Sequence, residues 1–153
     1  MAKTIPFPQQ AHAAHVRRSK AMLLPMPRAC ANDLALQVHL ALAALRGGGT
    51  SHDAQAMLHT HVLTMSIVNA GYGALTQAQV RDADAALLAC FERGRAHGNW
   101  RLDAAEADAL AAIVTVYDLQ LQFAPLWALT EASERLEQMG MGETGQAAKR
   151  KQA

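Results

Sequence analysis

Apolar residues recur every three or four positions through most of residues 29–139, the spacing that lines one face of an α-helix. Glycines, prolines and capping residues cut this stretch into five segments. A first helix is predicted over 32–46, with Asn32 as N-cap and Gly47, Gly48 and Gly49 closing it with residues that tolerate a left-handed backbone. Its apolar residues form two stripes: Leu34, Val38, Ala41 and Leu45 share one face, and Leu36, Leu40 and Ala43 the opposite one. A helix apolar nearly all round is buried on both sides, centrally in a bundle or across a subunit interface. A second helix, over 51–70, ends at Gly71 and Gly73. The third opens at "LTQAQV", with Thr76 as N-cap, Gln79 completing a capping box, and Leu75 packing on Val80 as a staple. Asp103, answered by Glu106, opens a fourth helix that runs to about residue 122. It too carries two stripes, Leu110, Val114, Tyr117 and Leu121 against Ala112, Val116, Leu119 and Phe123. Pro125 interrupts the pattern before a fifth helix over 125–139, whose apolar face is Leu129, Ala132, Leu136 and Met139.

Composition agrees with a helical fold. Aromatic residues are only 5% of the chain while alanine and leucine dominate, and alanine loses no side-chain entropy in a helix. With 153 residues the chain suits one domain that buries roughly 70% of the surface exposed when unfolded. The predicted fold is an all-α bundle of four to five helices over 29–139. Residues 1–28 hold Pro6, Pro8, Pro25 and Pro27 and little periodicity, so they read as an extended, flexible arm; residues 140–153 read as a flexible basic tail. "RRSKAMLLPMPR", from Arg17, has an apolar run of only four residues, against about 7 to 15 for a signal peptide and about 20 for a membrane span. Cys30 and Cys90 lie sixty residues apart without a CxxC partner, which suits neither a disulfide framework nor zinc and points to a reducing cytoplasm.

Charge is divided along the chain although the net value is only +1. Residues 1–28 carry five basic residues, Lys3, Arg17, Arg18, Lys20 and Arg28, and no acid; residues 140–153 carry Lys149, Arg150 and Lys151 against Glu143. Between them six basic residues face twelve acidic ones, a core of −6 flanked by basic arms. Of these, Arg17, Arg18, Lys20 and Arg28 are the candidate nucleic-acid contacts, for binding that would be weak and indifferent to sequence.

The densest candidate chemistry is "SHDAQAMLHTHVLTM", with three histidines in fifteen residues. At 100° per residue His61 falls with Met57, Met65 and Val68, whereas His52 and His59 fall on the far side with Gln55 and Ser66. His52 and His59 are separated by about 10.5 Å of helical rise, too far to share one ion, so no metal site is expected within this helix; only one shared between helices or subunits stays open. His61 reads as a core histidine with one hydrogen-bond partner. Asp118 lies beside Val114, Tyr117 and Leu121, where a carboxylate must be paired or solvated, and Arg81, Arg95 and Arg101 are the candidate partners. Asp118, Tyr117 and His61 together make a candidate buried polar site. Cys90, next to Phe91, reads as a small buried apolar residue, and Trp100 as packing over the start of the fourth helix. Neither "GGG" nor "GYG" continues into a phosphate loop. No cofactor is expected and no catalytic residue is assigned.

The pattern "NDLALQVHLALAALRGG" followed by "GNWRLDAAEADALAAIVTVYDLQLQFAPLWALTEASERL" resembles a group of small proteobacterial helical proteins of unestablished function, often named Fis-like transcriptional regulators. The likeness spans about residues 29–139 and rests on positions such as Trp100, Asp118, Gln120, Leu121 and Pro125. It implies a DNA-binding regulator whose last helix enters the major groove. In this chain the last helix carries Glu131, Glu134 and Glu137 against Arg135, and acidic side chains there repel phosphates. Contact with nucleic acid would then have to come through the basic arms. The expectation is a non-catalytic helical binding or adaptor protein acting as a homodimer, cytoplasmic and without a membrane segment, with a DNA-binding regulator as the alternative.

Overall fold

A computed structural model describes residues 19–151, with side chains through Gly140. The five long helices are α1 (Arg28–Gly47), α2 (Ser51–Asn69), α3 (Gln77–His97), α4 (Ala104–Phe123) and α5 (Leu126–Lys151). The described residues form a helical bundle without strands. None of the described helices is long and apolar enough to cross a membrane.

Three of the helices open on reciprocal capping boxes. Thr50 with Asp53, Thr76 with Gln79 and Asp103 with Glu106 each join the cap side chain to the N3 backbone and the N3 side chain to the cap backbone. The start of α1 differs from the sequence expectation: the helix begins at Arg28, and Pro27 rather than Asn32 is the N-cap. The Ala31 amide bonds the Pro27 carbonyl, and Ala31 is buried in the core, so packing adds a helical turn ahead of the asparagine. Residues 19–22, expected in an extended arm, form a helical turn, and the Leu24 carbonyl accepts from the Leu126 amide at 2.8 Å. At the other end α5 continues to Lys151, past the boundary read at residue 139. Gly98 closes α3 at φ 67°, a backbone state that favours glycine.

Chain ties set the relative directions of the helices. The Leu102 amide donates to the Leu45 carbonyl at 3.0 Å, so the C-terminal end of α1 meets the N-terminal end of α4, while Leu24 meets Leu126 at the opposite end. The two helices are therefore antiparallel. α4 packs between α1 and α3, making a three-helix layer. α2 crosses the inner side of that layer, touching α1, α3 and α4, and α5 packs on α2. The core between the layers includes Leu45, Met57, Ile67, Leu110, Ile113, Val114 and Leu121, all fully buried.

Candidate functional site

Of the buried polar residues, Thr60 and Thr64 bond back to carbonyls of α2 itself, while His61 and Gln120 join helices. His61, 5% exposed on α2, places Nε2 2.7 Å from Asp84 Oδ1 on α3. A carboxylate only accepts, so Nε2–H donates. Asp118 on α4 is held by His39 of α1, Nε2 to Oδ2 at 2.7 Å, and not by Arg81, Arg95 or Arg101. Arg95 instead lies over the Phe91 ring, 5.3 Å from its centroid, and the Arg101 amide bonds Asn99. Tyr117 is buried; burial first and the adjacent Asp118 carboxylate second push its phenol above the ordinary tyrosine range. The structure thus divides His61 from Asp118 and Tyr117: each histidine or carboxylate is paired with a residue of a different neighbouring helix.

Gln120, buried at 2% exposure, does a similar job. Its Nε2 donates to the Thr64 carbonyl at 3.1 Å and the Tyr72 carbonyl at 3.0 Å, tying α4 to α2 and to the turn that follows it. Arg93 of α3 makes a two-pronged bond to Glu106 of α4, at 2.8 and 2.7 Å, so one carboxylate both caps α4 and binds α3. Asp84, His39, Gln120 and Arg93 carry these contacts and none was singled out by the periodicity, which places a residue on a face without saying which helix covers it.

The His61–Asp84 pair borders an open depression of about 290 Å³ with Leu58, Leu87, Leu88, Phe91 and Arg95. A His–Asp pair can take a proton from a nucleophile, but no lining side chain is a serine, threonine, cysteine or lysine. The other helix α2 histidines, His52 and His59, are exposed and lie away from it. Among the described residues no three His, Cys, Asp or Glu side chains gather to hold a metal ion. Cys90 is buried, its Sγ 3.3 Å from the Trp100 carbonyl, and burial pushes its thiol up against the smaller opposing pull of Arg93. Trp100 packs on α3, edge to face with Phe91 and over Gly94, where the absence of a side chain leaves room for the indole.

The outer side of the α1–α4–α3 layer, opposite α2 and α5, carries the second stripes. Leu36 and Leu40 of α1 are 58% and 59% exposed, and Leu119 and Phe123 of α4 are 53% and 71% exposed. Their opposite stripes are buried at Val38, Ala41 and Leu45 and at Leu110, Val114, Tyr117 and Leu121, although Leu34, expected on the first of these stripes, is 37% exposed. The His39–Asp118 bond sits between the two helices with the core on one side and these four residues on the other. Leu119 and Phe123 border a shallow depression beside the Gly71–Gly73 turn, and two turns nearer the start of α4 a groove of about 800 Å³ lies between α3 and α4, walled by alanines that include Ala85, Ala89, Ala105, Ala109 and Ala112 and lined also by Asp82 and Asp108.

Of the candidate nucleic-acid contacts, Lys20 is exposed in the helical turn at 19–22 and Arg28 is exposed as the first residue of α1; Arg17 and Arg18 lie outside the described residues. On α5 the Arg135 guanidinium is engaged by Glu131. No protein-family model matches the chain, and neither does any curated protein or solved structure.

Proposed function

We propose that this protein is a non-catalytic helical binding protein that acts as a homodimer in the cytoplasm, with the outer side of the α1–α4–α3 layer as its contact surface. The observation that carries this reading is the unburied second stripe: Leu36 and Leu40 of α1 and Leu119 and Phe123 of α4 are each more than half exposed, while the opposite faces of the same two helices pack into the core. Contiguous apolar surface of this kind marks interaction sites. The free thiols of Cys30 and Cys90 suit a reducing compartment. The test is the paired variant Leu36→Glu with Leu119→Glu. It is expected to keep its helical circular dichroism and to turn a dimer into a monomer by light scattering; an unchanged dimer would contradict the choice of face.

A second reading, DNA-binding regulation through the arms, is favoured by one observation: five basic residues and no acid in residues 1–28. Five phosphate contacts give log affinity a slope of about −4.5 against log salt. Fluorescence anisotropy on a random duplex, comparing the full chain with one beginning at Ala29, separates this reading from the first: undiminished binding by the shorter chain contradicts contact through the arm.

A further inference from the structure

Resting on the homodimer proposed above, we infer that a second copy of the chain docks by antiparallel packing of α4 on its counterpart. The register seats Phe123 on the partner's Ala105, Leu119 on the partner's Ala109 and Val116 on the partner's Ala112.

The order of residues along one face of α4 suits a second copy of itself. At 100° per residue, positions 105, 109, 112, 116, 119 and 123 lie within about 80° of one another on α4. Read from the N-terminal end they are Ala, Ala, Ala, Val, Leu and Phe. Their spacings run four, three, four, three, four, which is the same in either direction. A two-fold axis opposite Val114 therefore brings every one of the six onto another, and because it reverses the chain it pairs each bulky residue with an alanine. Spacings of three and four in alternation are also those of a helix–helix seam.

Volumes agree with the pairing. The alanine half of the face opens into the 800 Å³ groove against α3, so a leucine and a phenylalanine from a partner meet a recess there. Leu119 and Phe123 are the parts of α4 that protrude.

Helix α1 supplies an independent check. The His39–Asp118 bond and the Leu45–Leu102 bond at the end of α1 bracket the level of Val38 between about residues 119 and 109 of the antiparallel α4, with Val114 midway. Leu36 and Leu40 lie symmetrically about Val38, so the same axis brings them against the partner's Leu40 and Leu36. Taking roughly 200 Å² for a fully exposed large side chain, these two leucines with Leu119 and Phe123 expose on the order of 450 Å² of apolar surface. That is more than half of the ~800 Å² per partner in a standard interface, and the alanines between them supply further contact.

Size exchange tests the register. Ala109→Leu fills the recess and is expected to weaken dimerisation at least tenfold in sedimentation velocity, with helical content unchanged. Adding Leu119→Ala to the same chain is expected to restore it to within a few-fold of the original. Ala105→Leu with Phe123→Ala repeats the exchange at an exposed position in the first turn of α4, and decides the matter if Ala109→Leu disturbs folding. A dimer untouched by both alanine substitutions, or weakened by them without rescue, overturns this register while leaving the homodimer in place. A chain that stays monomeric at several hundred micromolar overturns both.

Discussion

Gly94 has room for a hydrogen and nothing larger: a methyl group there would lie 2.3 Å from two ring atoms of Trp100, which Phe91 holds edge-on. Gly94→Ala gains about 1 kcal/mol of helix propensity but overpacks a fixed aromatic seat at a typical cost of 1–3 kcal/mol. Contacts of 2.3 Å place the cost at the upper end of that range, so the expected outcome is a net loss of about 2 kcal/mol in urea unfolding; a variant as stable as the parent would show that the indole has another place to sit. Titration gives a second residue-scale prediction. Burial raises both the Cys90 thiol and the Tyr117 phenol, so the folded state keeps protons that the unfolded chain would release. Their contribution to stability is complete below about pH 8.5, the ordinary thiol value, and is lost as pH rises through the folded values. Urea midpoints are therefore expected to fall above about pH 9, less steeply at first in Cys90→Ala; a flat profile to pH 10.5 would contradict it. Sequence alone shows that Asp118, on an apolar stripe, needs a partner, but that partner, His39, is 79 residues away on a helix whose neighbours no periodicity reveals.

At the scale of elements, most boundaries were written in local chemistry. The capping boxes at Thr76 and Asp103 and the break at Pro125 stand where their residues predict. The box at Thr50 was equally local but uses aspartate, shorter than the glutamate or glutamine that marks the usual pattern. Thr76→Ala should cost about 1 kcal/mol of stability, the typical value of a lost N-cap, and a calorimetric melt with no shift would contradict the cap's role. The start of α1 was not local: the core's claim on Ala31 overrode Asn32. For α2 the angular argument placed His61 inward, and the structure adds Asp84 as its partner. Because His52 and His59 are exposed on the other side, zinc or nickel titration of metal-free protein should show no stoichiometric site in α2. Tight binding lost in His52→Ala or His59→Ala would contradict that geometry.

Across the whole molecule, the doubled stripes of the first and fourth helices are the feature on which the proposed homodimer rests. The pattern predicts burial on two sides, and the single chain supplies one: Val38 and Leu45, or Leu110 and Val114, go into the core, while Leu36, Leu40, Leu119 and Phe123 stay outside. The candidate polar residues were legible individually and not as a site, because which helices meet is settled by packing of the layers. Sedimentation velocity on the unmodified protein from sub-micromolar to several hundred micromolar tests self-association through this face most directly. Docking through this face gives a species of twice the 16.4 kDa chain mass that yields the single chain only on dilution; a single 16.4 kDa species at every concentration would contradict it.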